Sequence, residues 1–165
     1  MIKKCAFTGH RDVRAAHLAA LPGVLARAIE YAYSEGCREF LSGGALGFDT
    51  YAAREVIRFR MSHPDVRLIM LLPCRDQDKM WTERQRSSYS YVLSLADELI
   101  YVGDDYSSAC MRARNVRLAE ECDILIAYLS RWASGAGQTV RLAEGLGKKV
   151  YNIYHRLNGA DNAPS

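Results

Sequence analysis

Three short runs in this chain carry the residue types that hold anions. Phe7-Thr8-Gly9-His10-Arg11 sets a hydroxyl, an imidazole and a guanidinium around one glycine. Ser42-Gly43-Gly44-Ala45-Leu46-Gly47-Phe48-Asp49 places three glycines within five residues and ends on an acid. Ser134-Gly135-Ala136-Gly137-Gln138-Thr139 repeats the small, hydroxylic character further on. Glycine has no Cβ, so its backbone N–H can come close to a ligand. A helix that starts just after such a run adds unpaired N–H groups and the positive end of its dipole. The chemistry is therefore recognition of a phosphate or a phosphate-bearing molecule. Backbone amides of residues 42–47 and 134–138 would cradle the anion. Thr8, Ser42 and Thr139 would add hydroxyl donors, and Arg11 or Arg114 a bidentate cation. The plainer alternative is that the glycines only make tight turns, that His10 is a turn residue whose ring is satisfied by backbone, and that Asp49 sits in a first helical turn where an acid suits the dipole.

Each run needs a strand before it and a helix after it, and the hydrophobic pattern supplies both. Strands are expected over residues 4–8, 39–42, 66–72, 98–102, 123–129 and 150–154. Helices are expected from Leu18 or Pro22 to Gly36, from the second run to about Met61, and over 79–96, 108–121 and about 138–146. Val66-Arg67-Leu68-Ile69-Met70-Leu71-Leu72 is almost wholly apolar, as in a parallel strand covered on both faces. Strands alternating with helices at this spacing mean βαβ units with right-handed crossovers. The expected fold is a three-layer, Rossmann-like α/β domain over residues 1–157, with a mainly parallel sheet of about six strands and a loose polar tail at 158–165. In such a sheet every strand ends at the same edge, so the three runs and Arg75 gather there.

Composition narrows the function classes. The chain has 165 residues, 49% hydrophobic and 25% charged, which suits one ordinary globular domain. A net charge of +3 permits an anionic ligand without demanding nucleic acid. The five cysteines are an odd number with no Cys-x-x-Cys pair, which argues against a disulfide framework and a structural zinc, so no metal is expected. Residues 1–4 lead straight into a strand without the apolar core of a signal peptide, and no stretch is long and apolar enough to span a bilayer. The expectation is a cytoplasmic protein away from membranes. Two familiar nucleotide motifs do not fit. The first strand does not end in Gly-x-Gly-x-x-Gly, no acid ends the third strand, and no Gly-Lys-Ser/Thr follows the glycines.

Together the three runs resemble the SLOG superfamily, most closely its YpsA-like branch. The similarity extends over residues 3–154 and takes in Gln77-x-x-x-Trp81, Ala96-Asp97 and Arg114-Asn115. It implies a Rossmann-like fold and a nucleotide or nucleotide-derived ligand, sensed or bound without a required cofactor. The binding residues it implies are Thr8, Gly9, His10, Arg11, Ser42, Gly43, Gly44, Gly47, Asp49, Arg114, Asn115, Ser134, Gly135, Gly137, Gln138 and Thr139. A homodimer is open, since LOG-like relatives often dimerise. Two further activities are implied by branches of the superfamily. The LOG branch cleaves the N-glycosidic bond of nucleoside monophosphates with an arginine and a glutamate. Arg114 matches the arginine, but Gln138 and Arg141 fall at the threonine and glutamate of its glycine loop. Glu144 lies one turn beyond, about 4–5 Å along the helix, a displacement that chemistry tolerates poorly. The DprA branch binds single-stranded DNA. Here that would use Arg112, Arg114 and Arg117 with Trp132, or Trp81, Arg84 and Arg86 with Tyr89 and Tyr91. Packing against the sheet is the competing role for Trp81 and Tyr91.

Overall fold

The structure is a computed structural model that describes residues 1–161. Six strands form one sheet: β1 (Lys3–Gly9), β2 (Cys37–Ser42), β3 (Arg67–Leu72), β4 (Glu98–Tyr101), β5 (Ile124–Tyr128) and β6 (Lys149–Asn152). Their order is β4-β3-β2-β1-β5-β6 and every pairing is parallel. The helices are α1 (Leu21–Ser34), α2 (Phe48–Arg60), α3 (Glu83–Leu95), α4 (Ser108–Glu121), α5 (Gly135–Gly145) and α6 (Tyr154–Asp161).

Alternation along the buried strands makes the three layers. Phe7, Phe40, Leu68, Met70, Ile126 and Tyr128 face one side, where they pack with Leu25 and Ile29 of α1, Val56 of α2, Val92 of α3 and Leu157 of α6. Ala6, Leu41, Ile69, Leu71 and Leu125 face the other side, against Leu118 of α4 and Val140 of α5. Side chains successive along a strand point to opposite faces, so each strand serves both cores and reads as a continuous apolar run. All five cysteines are buried free thiols.

The sheet is the mainly parallel, six-stranded one expected, and the differences lie at element ends. Helix α3 starts at Glu83 rather than near Lys79, because Thr82 and Gln85 form a reciprocal capping box there. Strand β6 stops at Asn152, whose Oδ1 accepts from the backbone N–H of Leu129 and of Tyr154. Tyr154 then opens α6, so residues assigned from the sequence to a strand end and to the start of the tail belong to a helix. The remainder of the expected tail, 162–165, lies outside the described residues. Among the described residues no helix is long and apolar enough to cross a membrane.

Candidate functional site

Strand order reverses between β1 and β5, and open α/β sheets leave a crevice at the carboxyl ends of such strands. A cavity of about 360 Å³ sits there. Its walls are the segment after β1 (Thr8 to Asp12), the start of α5 with the loop before it (Arg131, Ser134, Gly135, Ala136), one turn of α4 (Met111, Arg114, Asn115), and Ala45 and Asp49 of the β2–α2 loop and helix.

The β1 segment is pinned from three sides. Tyr128 at the end of β5 accepts the Arg14 N–H on its hydroxyl, which also bonds His17 Nδ1 at 2.6 Å. Phe48 N–H donates to the His10 carbonyl. The His10 ring reaches over to the β5–α5 loop, where Nε2 accepts the N–H of Ser130 at 2.9 Å and of Arg131 at 3.2 Å. A nitrogen that accepts two N–H groups carries no proton, so the neutral ring bears its hydrogen on Nδ1. Burial, and after it the Arg131 charge, lower the His10 pKa and favour that neutral form. His10 is thus the backbone-satisfied turn residue of the plainer reading, and its Nδ1–H has no protein acceptor among the described residues.

Helix α5 brings the other donors. Ser134 is its N-cap: Oγ accepts the Gly137 N–H at 3.0 Å and donates to the Arg131 carbonyl at 2.6 Å. Gln138 N–H bonds the Ser134 carbonyl. The N–H groups of Gly135 and Ala136 have no acceptor among the described residues and belong to the cavity wall. Across from them Arg114, only 4% exposed, donates Nη1 to the Gly43 carbonyl and Nε to Asn115 Oδ1. That leaves Arg114 Nη2, Asn115 Nδ2 and the Thr8 hydroxyl without protein partners among the described residues.

The β2–α2 loop is tied to the residues around it. Two of its amides are already used: Gly44 N–H donates to Ser42 Oγ and Ala45 N–H to Asp49 Oδ2. Ser42 Oγ in turn donates to the Asp49 carbonyl. Gln77, also buried, donates to the Gly44 carbonyl and to the Tyr89 hydroxyl, and Trp81 packs edge-on against Tyr89. The glycines make room for neighbours. A Cβ on Gly43 would lie 2.6 Å from Arg114 Nη1, and one on Gly47 would lie 2.0 Å from the Arg11 carbonyl oxygen. This loop is a seat for Arg114 and Arg11.

Asp49 lies on the cavity floor. It is 5% exposed, and its Oδ1 has no hydrogen-bond partner among the described residues. Burial pushes its pKa up to about 6, against the pull of Arg114, the Ala45 N–H and Arg11. Burial likewise lowers the pKa of Arg114, with Asp49 opposing. A guanidinium nevertheless stays charged at any ordinary pH.

Nine of the residues expected from the sequence meet at this cavity: Thr8, Gly9, His10, Arg11, Asp49, Arg114, Asn115, Ser134 and Gly135. Ser42, Gly43, Gly44, Gly47, Gly137, Gln138 and Thr139 do not line it. Thr139 Oγ1 is spent on the Gly135 carbonyl one turn back, and Gln138 faces solvent beside Arg141. Glu144 is exposed, away from the cavity wall, so the helical offset read from the sequence carries it out of reach. Arg141 lies over the Trp132 ring instead. Ala136, within the 134–138 stretch of amides expected from the sequence, lines it as well. The Asp12–Arg131 ion pair at the rim was missed, because its members are 119 residues apart.

The chain matches the YpsA family, described as the YspA SLOG family, over residues 6–139. It belongs to that family. The SPbeta prophage-derived protein YoqJ of Bacillus subtilis is 28% identical over 133 residues, 72% of this chain and 78% of YoqJ. A UPF0398 protein of Halalkalibacterium halodurans is 33% identical over 97 residues, 57% of this chain and 51% of that protein. The chain thus spans about half the length of that relative. Among solved structures, DNA processing protein A of Streptococcus pneumoniae superposes with a TM-score of 0.64 at 18% identity, over 92% of this chain and 50% of that one. The Helicobacter pylori protein of that name, solved for its single-stranded DNA binding mode, gives 0.63 at 19% identity, over 98% and 74%. At such identities the likeness is one of fold.

Proposed function

We propose that the cavity between β1 and α5 binds a nucleotide or nucleotide-derived ligand through its phosphate. The observation that carries this reading is a set of hydrogen-bond donors around one cavity with no acceptor among the described residues: Gly135 N–H, Ala136 N–H, Arg114 Nη2, Asn115 Nδ2 and the Thr8 hydroxyl. Donors gathered at one cavity suit an anion, and the start of a helix attracts negative charge. Thr8 and Asp49 give the same cavity groups that suit a sugar hydroxyl. Binding is favoured over glycoside cleavage, because Glu144, the glutamate nearest in register to that of the LOG branch, stands outside the cavity wall.

The test is a thermal-shift and calorimetric titration with AMP and other nucleoside phosphates, in the wild type, Gly135→Ala and Gly135→Pro. Gly135 is the first residue of α5, where proline is well tolerated, and Ser134 before it is extended (φ −153°, ψ 167°), as a residue before proline should be. A Cβ there would be an ordinary 3.5 Å from Asn115 Nδ2. Proline removes one N–H and alanine keeps it. The expected result is binding retained in Gly135→Ala and weakened roughly 10-fold or more in Gly135→Pro, the value of a hydrogen bond to a charged group. Equal affinity in both variants would contradict the placement of the phosphate.

A second reading, single-stranded nucleic acid, draws support from Trp132, which is 46% exposed beside the β5–α5 loop with Arg141 over its ring. Exposed aromatics beside cations are stacking platforms. Oligonucleotide binding that weakens steeply with salt and is lost in Trp132→Ala would support it.

A further inference from the structure

A second chamber adjoins the first, and Arg11 with Asp12 lines both. It is about 540 Å³, bounded by the starts of α2 and α3 and by the segment after β1. Its wall joins two kinds of group. Arg11, Arg54 and Arg84 supply three cations, while the acid on the wall, Asp12, is already held by Arg131 at 2.9 Å. Arg11 and Arg84 make no hydrogen bond or ion pair among the described residues, and Arg54 donates to Ser88 Oγ at 3.3 Å. Between the cations lie Leu46, Tyr51 and Leu18, with Tyr51 39% and Leu18 41% exposed. Arg54 also lies over the Tyr91 ring, so the guanidinium groups of Arg11 and Arg84 are the ones left beside this apolar surface. A flat ring carrying a phosphate would use both, through stacking and through charge-assisted hydrogen bonds.

The wall between the chambers is fixed. The Arg11 backbone is pressed against Gly47, where no Cβ would fit, and the preceding carbonyl is held by Phe48 N–H. The Arg11 side chain is what remains to face a ligand from either side.

We infer that the two chambers together form one site for a dinucleotide: one nucleoside and phosphate in the first cavity, a bridging phosphate at Arg11, and the second nucleoside on Tyr51 and Leu46 between Arg54 and Arg84. The inference rests on the reading of the first cavity as a nucleotide site. It assigns a specificity role to Arg54 and Arg84, which that reading leaves unused.

The experiment measures by calorimetry the affinity of the wild type and of Arg54→Ala/Arg84→Ala for four probes: AMP, a pyrophosphate-linked dinucleotide, a phosphodiester-linked dinucleotide and a 20-nucleotide single strand. Both substituted side chains are exposed, and AMP binding reports on an intact first cavity. The expected result is that one free dinucleotide binds the wild type at least about 10-fold more tightly than AMP, as a second tethered contact predicts. The double variant loses that advantage and keeps its AMP affinity. Equal affinity for AMP and both dinucleotides would overturn the inference and leave the first cavity as a mononucleotide site. Tight binding of the single strand with no preference for either free dinucleotide would overturn it in favour of a polymer. An equal loss for AMP and dinucleotide in the variant would remove the second chamber from binding. Binding of none of the probes would overturn both this inference and the reading beneath it.

Discussion

Arg114 Nη1 donates to the carbonyl oxygen of Gly43, and it does so through space that any Cβ on Gly43 would fill. A buried guanidinium from α4 is thus received by the backbone of the β2–α2 loop, 71 residues earlier in the chain. Gly43→Ala should push Arg114 aside and cost about 1–3 kcal/mol, the usual range for overpacking. It should also weaken ligand binding, since Arg114 Nη2 would move from the cavity. Gly23→Ala is the control: Gly23 is exposed in α1, and a Cβ there meets only Arg27 Nη1 at 3.9 Å. It should stabilise by about 0.4–1 kcal/mol by restricting the unfolded chain. Urea unfolding of the two variants checks both signs.

His10 should make stability fall on the acid side. Its folded pKa is lowered from 6.5, so the neutral ring belongs to the folded state. The stability it contributes is present above the unfolded value and is lost as pH falls through the folded value, when Nε2 gains a proton and releases the N–H groups of Ser130 and Arg131. His10→Leu should cost about 1–2 kcal/mol at pH 7.5, because the N–H groups of Ser130 and Arg131 lose their acceptor. The penalty should shrink toward pH 5. Denaturation curves of wild type and variant across that range test this, and a penalty independent of pH would contradict it.

Asp49 works in the opposite sense. Its pKa rises from 3.8 to about 6, so the fold is favoured while the carboxyl is protonated and loses that advantage as pH rises through the folded value. The unfavourable contribution is complete above pH 6 and reaches up to about 3 kcal/mol at 1.36 kcal/mol per unit. Asp49→Asn should therefore raise the melting temperature at pH 8, with the gain vanishing near pH 4. The same substitution should weaken nucleotide binding if Asp49 receives a sugar hydroxyl. A variant that is less stable at pH 8 would show that Arg114 depends on the Asp49 charge more than burial opposes it.

The layered sheet was legible because its signals are local. Runs such as residues 66–72 and 123–129 can hardly be anything but strands buried on both faces, and their C-terminal ends gather the loops by topology alone. The three small-residue runs lie together at the carboxyl edge of the sheet, as their place after the strands implied. What could not be read was which amides stay free. Gly44 and Ala45 look like donors in sequence, yet Ser42 Oγ and Asp49 Oδ2 consume their N–H groups locally. Ser134 keeps the Gly137 N–H in the same way while leaving those of Gly135 and Ala136. Helix α6 escaped because Val150-Tyr151-Asn152-Ile153-Tyr154 has the β-branched and aromatic content of a strand. Asn152 was the available sign, as a residue whose side chain caps the turn after it. The exposed position of Glu144 followed from helical geometry once α5 was placed.

The central claim is that the phosphate sits on the first turn of α5 and not on the glycine-rich β2–α2 loop. Backbone amide NMR during a titration with AMP tests it most directly. The account predicts that the largest shifts, and new protection from exchange, fall on the amides of Gly135 and Ala136, with the Asn115 side-chain amide moving as well and Gly44 and Ala45 nearly unchanged. Largest shifts at Gly43, Gly44 and Ala45, with Gly135 and Ala136 still, would contradict it and return the anion to the β2–α2 loop.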